Sequence, residues 1–179
     1  MARRWKIFLL VAFLTLVFDL GSKYWARASL PVHPDKCAIP ADIVSHKCMG
    51  VKEPVIAGFW DWRLSFNPGS AFGLFDSHNG ARVFLSIVGI LAVIAMVFMV
   101  KKAKDSQKLL AIALGLVAGG AVGNLADRIY FGVVTDFVLW HYKSHEWPVF
   151  NVADVALVIG VGMMFLDVGK EPKKKPATA

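Results

Sequence analysis

The sequence predicts an all-α polytopic membrane protein: four transmembrane helices, with a small extracytoplasmic β-sheet between helices 1 and 2. Three observations carry this expectation. Of 179 residues, 56% are hydrophobic and only 18% are charged, a balance too apolar for an ordinary soluble domain. Four stretches, Ile7–Trp25, Val83–Val100, Leu109–Ala126 and Val152–Val168, are each 17–19 residues long, enough to cross a bilayer with little tilt. Basic residues gather at the ends of those stretches, in the pattern that orients membrane helices.

The first span follows Arg3, Arg4 and Lys6 and so mimics a signal peptide. It is longer than a usual signal core and has no small-x-small cleavage site, so it reads as an anchor. Asp19 and Lys23 interrupt its body at i and i+4, a spacing that suits a structural ion pair fixing span one against its neighbours. Lys101, Lys102, Lys104 and Lys108 lie between spans two and three, and Lys170, Lys173, Lys174 and Lys175 follow span four. Eleven of the twenty basic residues thus flag one side, which the positive-inside rule makes cytoplasmic. Both termini are then inside, with the loops Ala26–Arg82 and Asp127–Asn151 outside. The net charge of +7 is chiefly this topological signal plus attraction to anionic membrane lipids, with no nucleic-acid footprint. The whole chain, 1–179, reads as a single membrane domain, with an extracytoplasmic insertion and sheet over about 27–81 and a cytoplasmic tail at 169–179.

The first outer loop holds two kinds of sequence. Pro31–Pro54 carries four prolines and both cysteines and reads as irregular. In an oxidising compartment Cys37 and Cys48 are spaced to form a disulfide; His33 and His46 nearby lack zinc-like spacing. Beyond Pro54, Trp60, Trp62, Leu64 and Phe66 alternate with Asp61, Arg63 and Ser65, the period of a half-buried strand. Asn67-Pro68-Gly69 turns the chain, and Ala71–Phe75 is expected to return as a second strand. Tryptophans in such a sheet suit the membrane interface.

The second outer loop carries the chemistry. Span three has Gly115, Gly119 and Gly123 at four-residue spacing, a face that admits another helix closely. It ends in Gly123-Asn124-Leu125-Ala126-Asp127-Arg128, where helical spacing sets Asn124 beside Asp127 and Arg128. Asp136 follows in Val134-Thr135-Asp136-Phe137, and Asp154 in Phe150-Asn151-Val152-Ala153-Asp154. Carboxylates at a membrane are expensive, so a functional reading is the default. Two brought to one depth can share a proton and drive water onto a peptide bond, as aspartic proteases do. The sequence has no Gly-x-Ser-x-Gly, His-Glu-x-x-His or Asp-Thr-Gly motif. His141-x-x-x-His145-Glu146 could bind metal on a helix but reads as an interfacial loop between Trp140 and Trp147. The rival class is a small proton-coupled transporter or a non-catalytic assembly factor. It requires acidic groups near mid-membrane, whereas Asp127, Asp136 and Asp154 all map to one end.

In these motifs the chain resembles the lipoprotein signal peptidases (signal peptidase II). The landmarks stand in order: Asp19-Leu20-Gly21-Ser22-Lys23, Asn67-Pro68-Gly69-Ser70-Ala71-Phe72, Gly123 to Arg128, Val134 to Phe137, and Phe150 to Asp154. The resemblance implies a membrane aspartic endopeptidase of the bacterial cytoplasmic membrane, with Asp136 and Asp154 as catalytic dyad and Asn67, Asn124, Asp127, Arg128 and Asn151 shaping the site. It further implies a prolipoprotein substrate, cut before its diacylglyceryl-modified cysteine, inhibition by globomycin-like lipopeptides, and neither metal nor cofactor. The stretch from Pro31 to about Glu53 is longer than the family's usual segment, and its cysteine pair lies outside the family pattern. The orientation has a direct test. Single cysteines at Lys104 and Ser77, in a background lacking the native pair, should label oppositely with an impermeant reagent in intact cells. Equal labelling would refute the topology.

Overall fold

The computed structural model describes residues 1–33, 50–69 and 78–168. In chain order the elements are α1 (Arg3–Ser29), β1 (Glu53–Ile56), β2 (Trp60–Asn67), α2 (His78–Lys102), α3 (Lys108–Tyr130), β3 (Val134–Tyr142), β4 (His145–Glu146) and α4 (Val152–Val168). Among the described residues three helices are long and apolar enough to cross a membrane, over Arg3–Ser29, Gly80–Lys102 and Lys108–Tyr130. The fourth expected span is α4, 17 residues long. The cysteine pair, the Ala71–Phe75 strand and the tail beyond Val168 lie outside the described residues.

Helix α3 is the hub on which α1, α2 and α4 pack. Its glycines explain why. A side chain at Gly115 would meet Val11 and the Phe8 carbonyl of α1 at 2.8 and 2.9 Å, and one at Gly119 would meet the Ala12 carbonyl at 2.6 Å. A side chain at Gly120 would meet the Ala153 carbonyl of α4 at 2.7 Å, and one at Gly160 on α4 would meet Ala113 and Val117 of α3. Backbones therefore approach where lipid supplies no hydrophobic drive for association, and dispersion and polar contacts hold the helices. The α1 residues buried against this hub, Phe8, Thr15, Asp19, Lys23 and Ala26, form one stripe at steps of three, four and seven. Helix α1 stops at Leu30, which is extended (φ −80°, ψ 134°) because Pro31 follows. Helix α2 buries little, leaving Val83, Ile87, Leu91 and Ile94 exposed along its outer side, as suits a helix facing lipid.

The sheet departs from the sequence expectation. It is four-stranded and antiparallel in the order β1-β2-β3-β4. The long partner of β2 is β3, which comes from the second loop, with Asn67 opposite Val134 and Ser65 opposite Asp136. The sheet is thus not confined to the segment between the first two helices. An irregularity between Trp62 and Ser65 breaks the simple alternation, so Asp61 is buried alongside Leu64 and Phe66 while Trp60 and Trp62 are only partly covered. Residues 134–139 of β3 are buried consecutively; Leu64, Phe66, Val133, Phe137 and Val138 close a core against Ala26 of α1. His141, His145 and Glu146, expected in a loop, lie on the β3–β4 hairpin. His141 sits 3.0 Å from Asp61, and Glu146 pairs with Lys52 and Arg63, so these groups serve the sheet.

The α1–α3 contact gives a stability prediction. Gly119→Ala should lower stability in detergent by about 1–3 kcal/mol through overpacking against the α1 backbone. Gly162→Ala, where nothing lies within 4 Å, should not. Equal thermal shifts for the two variants would refute close packing at Gly119.

Candidate active site

At the sheet end of the bundle, five segments deliver polar side chains to one place. From α1 come Asp19, Lys23 and Arg27, one face at i, i+4 and i+8. Lys23 is fully buried, with its Nζ 2.8 Å from Asp19 Oδ2, 2.8 Å from Asn124 Oδ1 and 3.5 Å from Asp127 Oδ2. The pair read from sequence within α1 therefore reaches α3 as well. The other Asp19 oxygen, Oδ1, accepts the Ala153 amide of α4 at 2.9 Å.

Asp127, Arg128 and Asn124 occupy the last turns of α3 rather than the loop beyond it. Asp127 is almost wholly buried; it accepts the Thr135 amide at 2.8 Å and lies 3.3 Å from Arg27. Arg27 also donates to the Thr135 hydroxyl at 2.6 Å and caps the Phe131 ring at 4.2 Å. These contacts clamp the start of β3, and Asp136 is the next residue along. The Arg128 guanidinium donates to the Asn124 carbonyl at 3.4 Å and lies in the field of Asp127, Asp136 and Asp154. Arg82 of α2 closes the end of α3 by donating to the carbonyls of Arg128 and Ile129.

Helix α4 begins with a capping box built from Asn151-Val152-Ala153-Asp154. The Asp154 amide donates to Asn151 Oδ1 at 3.0 Å, and the Asn151 amide donates to Asp154 Oδ2 at 3.1 Å. The positive end of the helix also favours a carboxylate at Asp154. The second Asp154 oxygen, Oδ1, accepts Asn124 Nδ2 at 3.0 Å. Asp136 lies deeper, 2% exposed, and accepts Asn151 Nδ2 at 2.7 Å.

Three asparagines share one logic here, because each has its carbonyl oxygen already engaged. Asn67 Oδ1 accepts the Gly69 amide at 2.8 Å, in the turn that Gly69 completes at φ +90°, and the Asn67 side chain bonds Asp136. Asn124 Oδ1 accepts Lys23 and, at 3.1 Å, Asn151 Nδ2. Asn151 Oδ1 accepts the Asp154 amide. An amide anchored at its oxygen presents its NH2 to what remains, and what remains in each case is a carboxylate of Asp136 or Asp154.

Burial, reinforced by the nearby Asp154 charge, pushes the Asp136 carboxyl up to about 7, although Asn67, Asn151 and Lys23 oppose the shift. The charges of the cluster agree. Lys23, Arg27 and Arg128 bring three positive charges against the four carboxyls of Asp19, Asp127, Asp136 and Asp154. One proton held between Asp136 and Asp154 makes the cluster neutral, the cheapest state for a buried site. Access is from the Asp154 side, where that residue joins Trp140, Trp147, Phe150, Val155, Val158 and Ile159 in lining a groove of about 300 Å³. Every candidate site residue read from the sequence lies in or beside this cluster, apart from the cysteine pair, which is outside the described residues. The sequence reading missed Arg27 and Thr135. Arg27 was legible as the next step on the Asp19–Lys23 face; Thr135 enters through its hydroxyl and its backbone amide, and the amide carries no sequence signal.

The profile of the family described as Signal peptidase (SPase) II matches residues 11–170. A protein named lipoprotein signal peptidase from Polynucleobacter necessarius is 37% identical, covering 88% of this chain and 85% of its own length. Similarly named proteins from Cellvibrio japonicus and Geobacter metallireducens are 34% and 31% identical, covering 95% and 98% of this chain and 92% and 98% of their own. A solved bacterial membrane enzyme superposes with a TM-score of 0.73 at 26% identity, covering 96% of this chain and 93% of that one. The chain belongs to the signal peptidase II family and is an integral membrane protein.

The Asp136 environment predicts a pH-dependent stability. The folded protein holds this proton more tightly than the unfolded chain, so the stability it contributes is complete below the ordinary value of 3.8. That contribution is lost as pH rises through about 7. Asp136→Asn should therefore melt above the parent by about 2–4 °C at alkaline pH, with the gain shrinking steadily towards acid. A melting difference independent of pH would show that Asp136 is not held protonated.

Proposed function

We propose that Asp136 and Asp154 form the catalytic dyad of this peptidase, with Asp154 as the ionised base and Asp136 as the proton-bearing acid. Membership of the family makes the chain a signal peptidase II; like its relatives named lipoprotein signal peptidase, it removes signal peptides from prolipoproteins. The observation that carries the division of roles is the difference in setting. One Asp154 oxygen accepts the Asn151 amide at the N-terminus of α4 and the other accepts the Asn124 side chain of α3, contacts that favour the anion. Asp136 is buried and drawn towards its protonated form.

The chemistry follows from those protonation states. Asp154 removes a proton from water as its oxygen attacks the scissile carbonyl carbon. Asp136 donates its proton to the carbonyl oxygen, so the tetrahedral intermediate forms without net charge transfer. On collapse, the proton gained by Asp154 passes to the departing amine, the C–N bond breaks and Asp136 recovers its proton. The released amine belongs to the cysteine that bears the diacylglyceryl group. Arg128 balances the dyad's charge, and Asn67, Asn124 and Asn151 position it. The groove beside Asp154 is apolar apart from that carboxylate, which suits a lipidated residue approaching from the bilayer. In this reading the site lies at the outer face of the bacterial cytoplasmic membrane, with both termini cytoplasmic. Globomycin-like lipopeptides would compete for the same site.

The test uses purified protein in detergent with lipidated and non-lipidated precursors. The parent should cut only the lipidated form, with a bell-shaped pH profile belonging to the pair. Asp136→Asn and Asp154→Asn should each fold yet lose at least about a thousandfold in kcat, and the double variant should be hardly worse. Asn67→Ala, Asn151→Ala and Arg128→Ala should fall short of that loss. Substantial turnover by either aspartate variant would overturn the aspartic mechanism.

A further inference from the structure

We infer that Lys23 is a positioning residue for the dyad: through Asn124 it fixes the direction of the hydrogen bond that holds Asp154. The inference rests on the dyad reading above. Asn124 is 8% exposed and can face its surroundings with either end of its amide. Lys23 Nζ has only hydrogens to offer, and it sits 2.8 Å from Asn124 Oδ1. A flipped Asn124 would set NH2 against ammonium, two donors in contact in a buried site. The ammonium therefore keeps the Asn124 NH2 on Asp154 Oδ1 at 3.0 Å. Asn151 Nδ2 also donates to Asn124 Oδ1, at 3.1 Å, but its hydrogens are shared with Asp136 Oδ1 and the Thr135 carbonyl. Lys23 is the dedicated donor.

The placement of Lys23 is itself enforced. Its partner Asp19 is anchored by the Ala153 amide, one residue before Asp154, and both side chains are 0% exposed. Gly123, next to Asn124, leaves the space that the Asp19 carboxylate fills. One turn of α1 is thereby keyed to the segments of α3 and α4 that carry Asn124 and Asp154. A simple helix-to-helix ion pair would need only Asp127; the shorter contact to an uncharged amide is what assigns the orienting role. The charged groups facing the dyad are Asp19, Lys23 and Arg27 from α1 and Asp127 and Arg128 from α3. Removing Asp19 and Lys23 together leaves their net charge unchanged.

The experiment exploits that neutrality, using the full chain in detergent and a lipidated precursor peptide. Asp19→Asn/Lys23→Gln keeps a donor for Asn124, whereas Asp19→Asn/Lys23→Met removes it. The Met pair should lose about tenfold in kcat with little change in KM. The acidic limb of its pH profile, which belongs to the pair, should move up by about one unit, because the dyad loses part of the hydrogen bonding that favours its ionised form. The Gln pair should recover most of that kcat, with a smaller limb shift. Asn124→Ala should reproduce the upward shift, and adding the Met pair to it should shift the limb no further. A Met pair with the parental limb, or Met and Gln pairs equally impaired, would overturn the inference. If the Met pair does not fold, the Gln pair decides: its limb shift must vanish in the Asn124→Ala background, and an undiminished shift overturns the inference. Failure of the parent to cleave, or turnover by Asp154→Asn, would instead strike at the dyad reading.

Discussion

The buried ammonium of Lys23 is the constraint around which this end of the molecule is organised. A charge sealed inside a helical bundle is stable only when neutralised and hydrogen-bonded on every side. Lys23 meets that demand with Asp19 on its own helix and with Asn124 and Asp127 on α3. Asp19 then reaches α4 through Ala153. Three helices are fixed in register by one side chain and its partners. The glycines of α3 make this possible, since Gly115, Gly119 and Gly123 bring α1 close enough for a buried lysine to reach across.

From that anchor, order passes outward to the two aspartates by different routes. Asp127 holds the Thr135 amide, and β3 therefore starts in a fixed place with Asp136 next in line. Asn151 caps α4 and so sets Asp154 in its first turn, while its NH2 reaches Asp136. The strand carrying Asp136 and the helix carrying Asp154 are tied to each other by that side chain and by the backbone hydrogen bonds of Phe150 to Phe137 and Val138. Two carboxyls in different secondary structures acquire different electrostatic surroundings, one at a helix N-terminus and one buried at a strand. A pair whose environments push its members apart is what acid–base division requires.

The sheet belongs to the same arrangement. Pairing of β2 with β3 brings Asn67 to Asp136 across the two loops. The aromatic contacts of Trp25 with Trp62 and Phe137 seat the sheet on the end of α1. The indoles of Trp140 and Trp147 then flank the groove at Asp154. Fixing β3 by both its strand partner and Asp127 restrains the buried aspartate without making it part of a transmembrane helix.

Sequence alone determined the helical spans, the small-residue face of α3 and the identities of the polar residues. Each of these is written in local composition or in spacing along one element: an apolar run, a four-residue glycine step, an Asn-x-x-Asp at a helix start. The Asp19–Lys23 pair was legible for the same reason, being separated by one helical turn. Tertiary structure decided what no local pattern encodes. Trp60–Asn67 could be recognised as a strand, but its pairing with β3, some seventy residues away, could not. Strand pairing depends on long-range register, which alternation within one strand leaves open. The reach of Lys23 to Asn124 and the role of Thr135 likewise needed the fold. One joins helices about a hundred residues apart, and the other acts in part through a backbone amide that every residue but proline possesses.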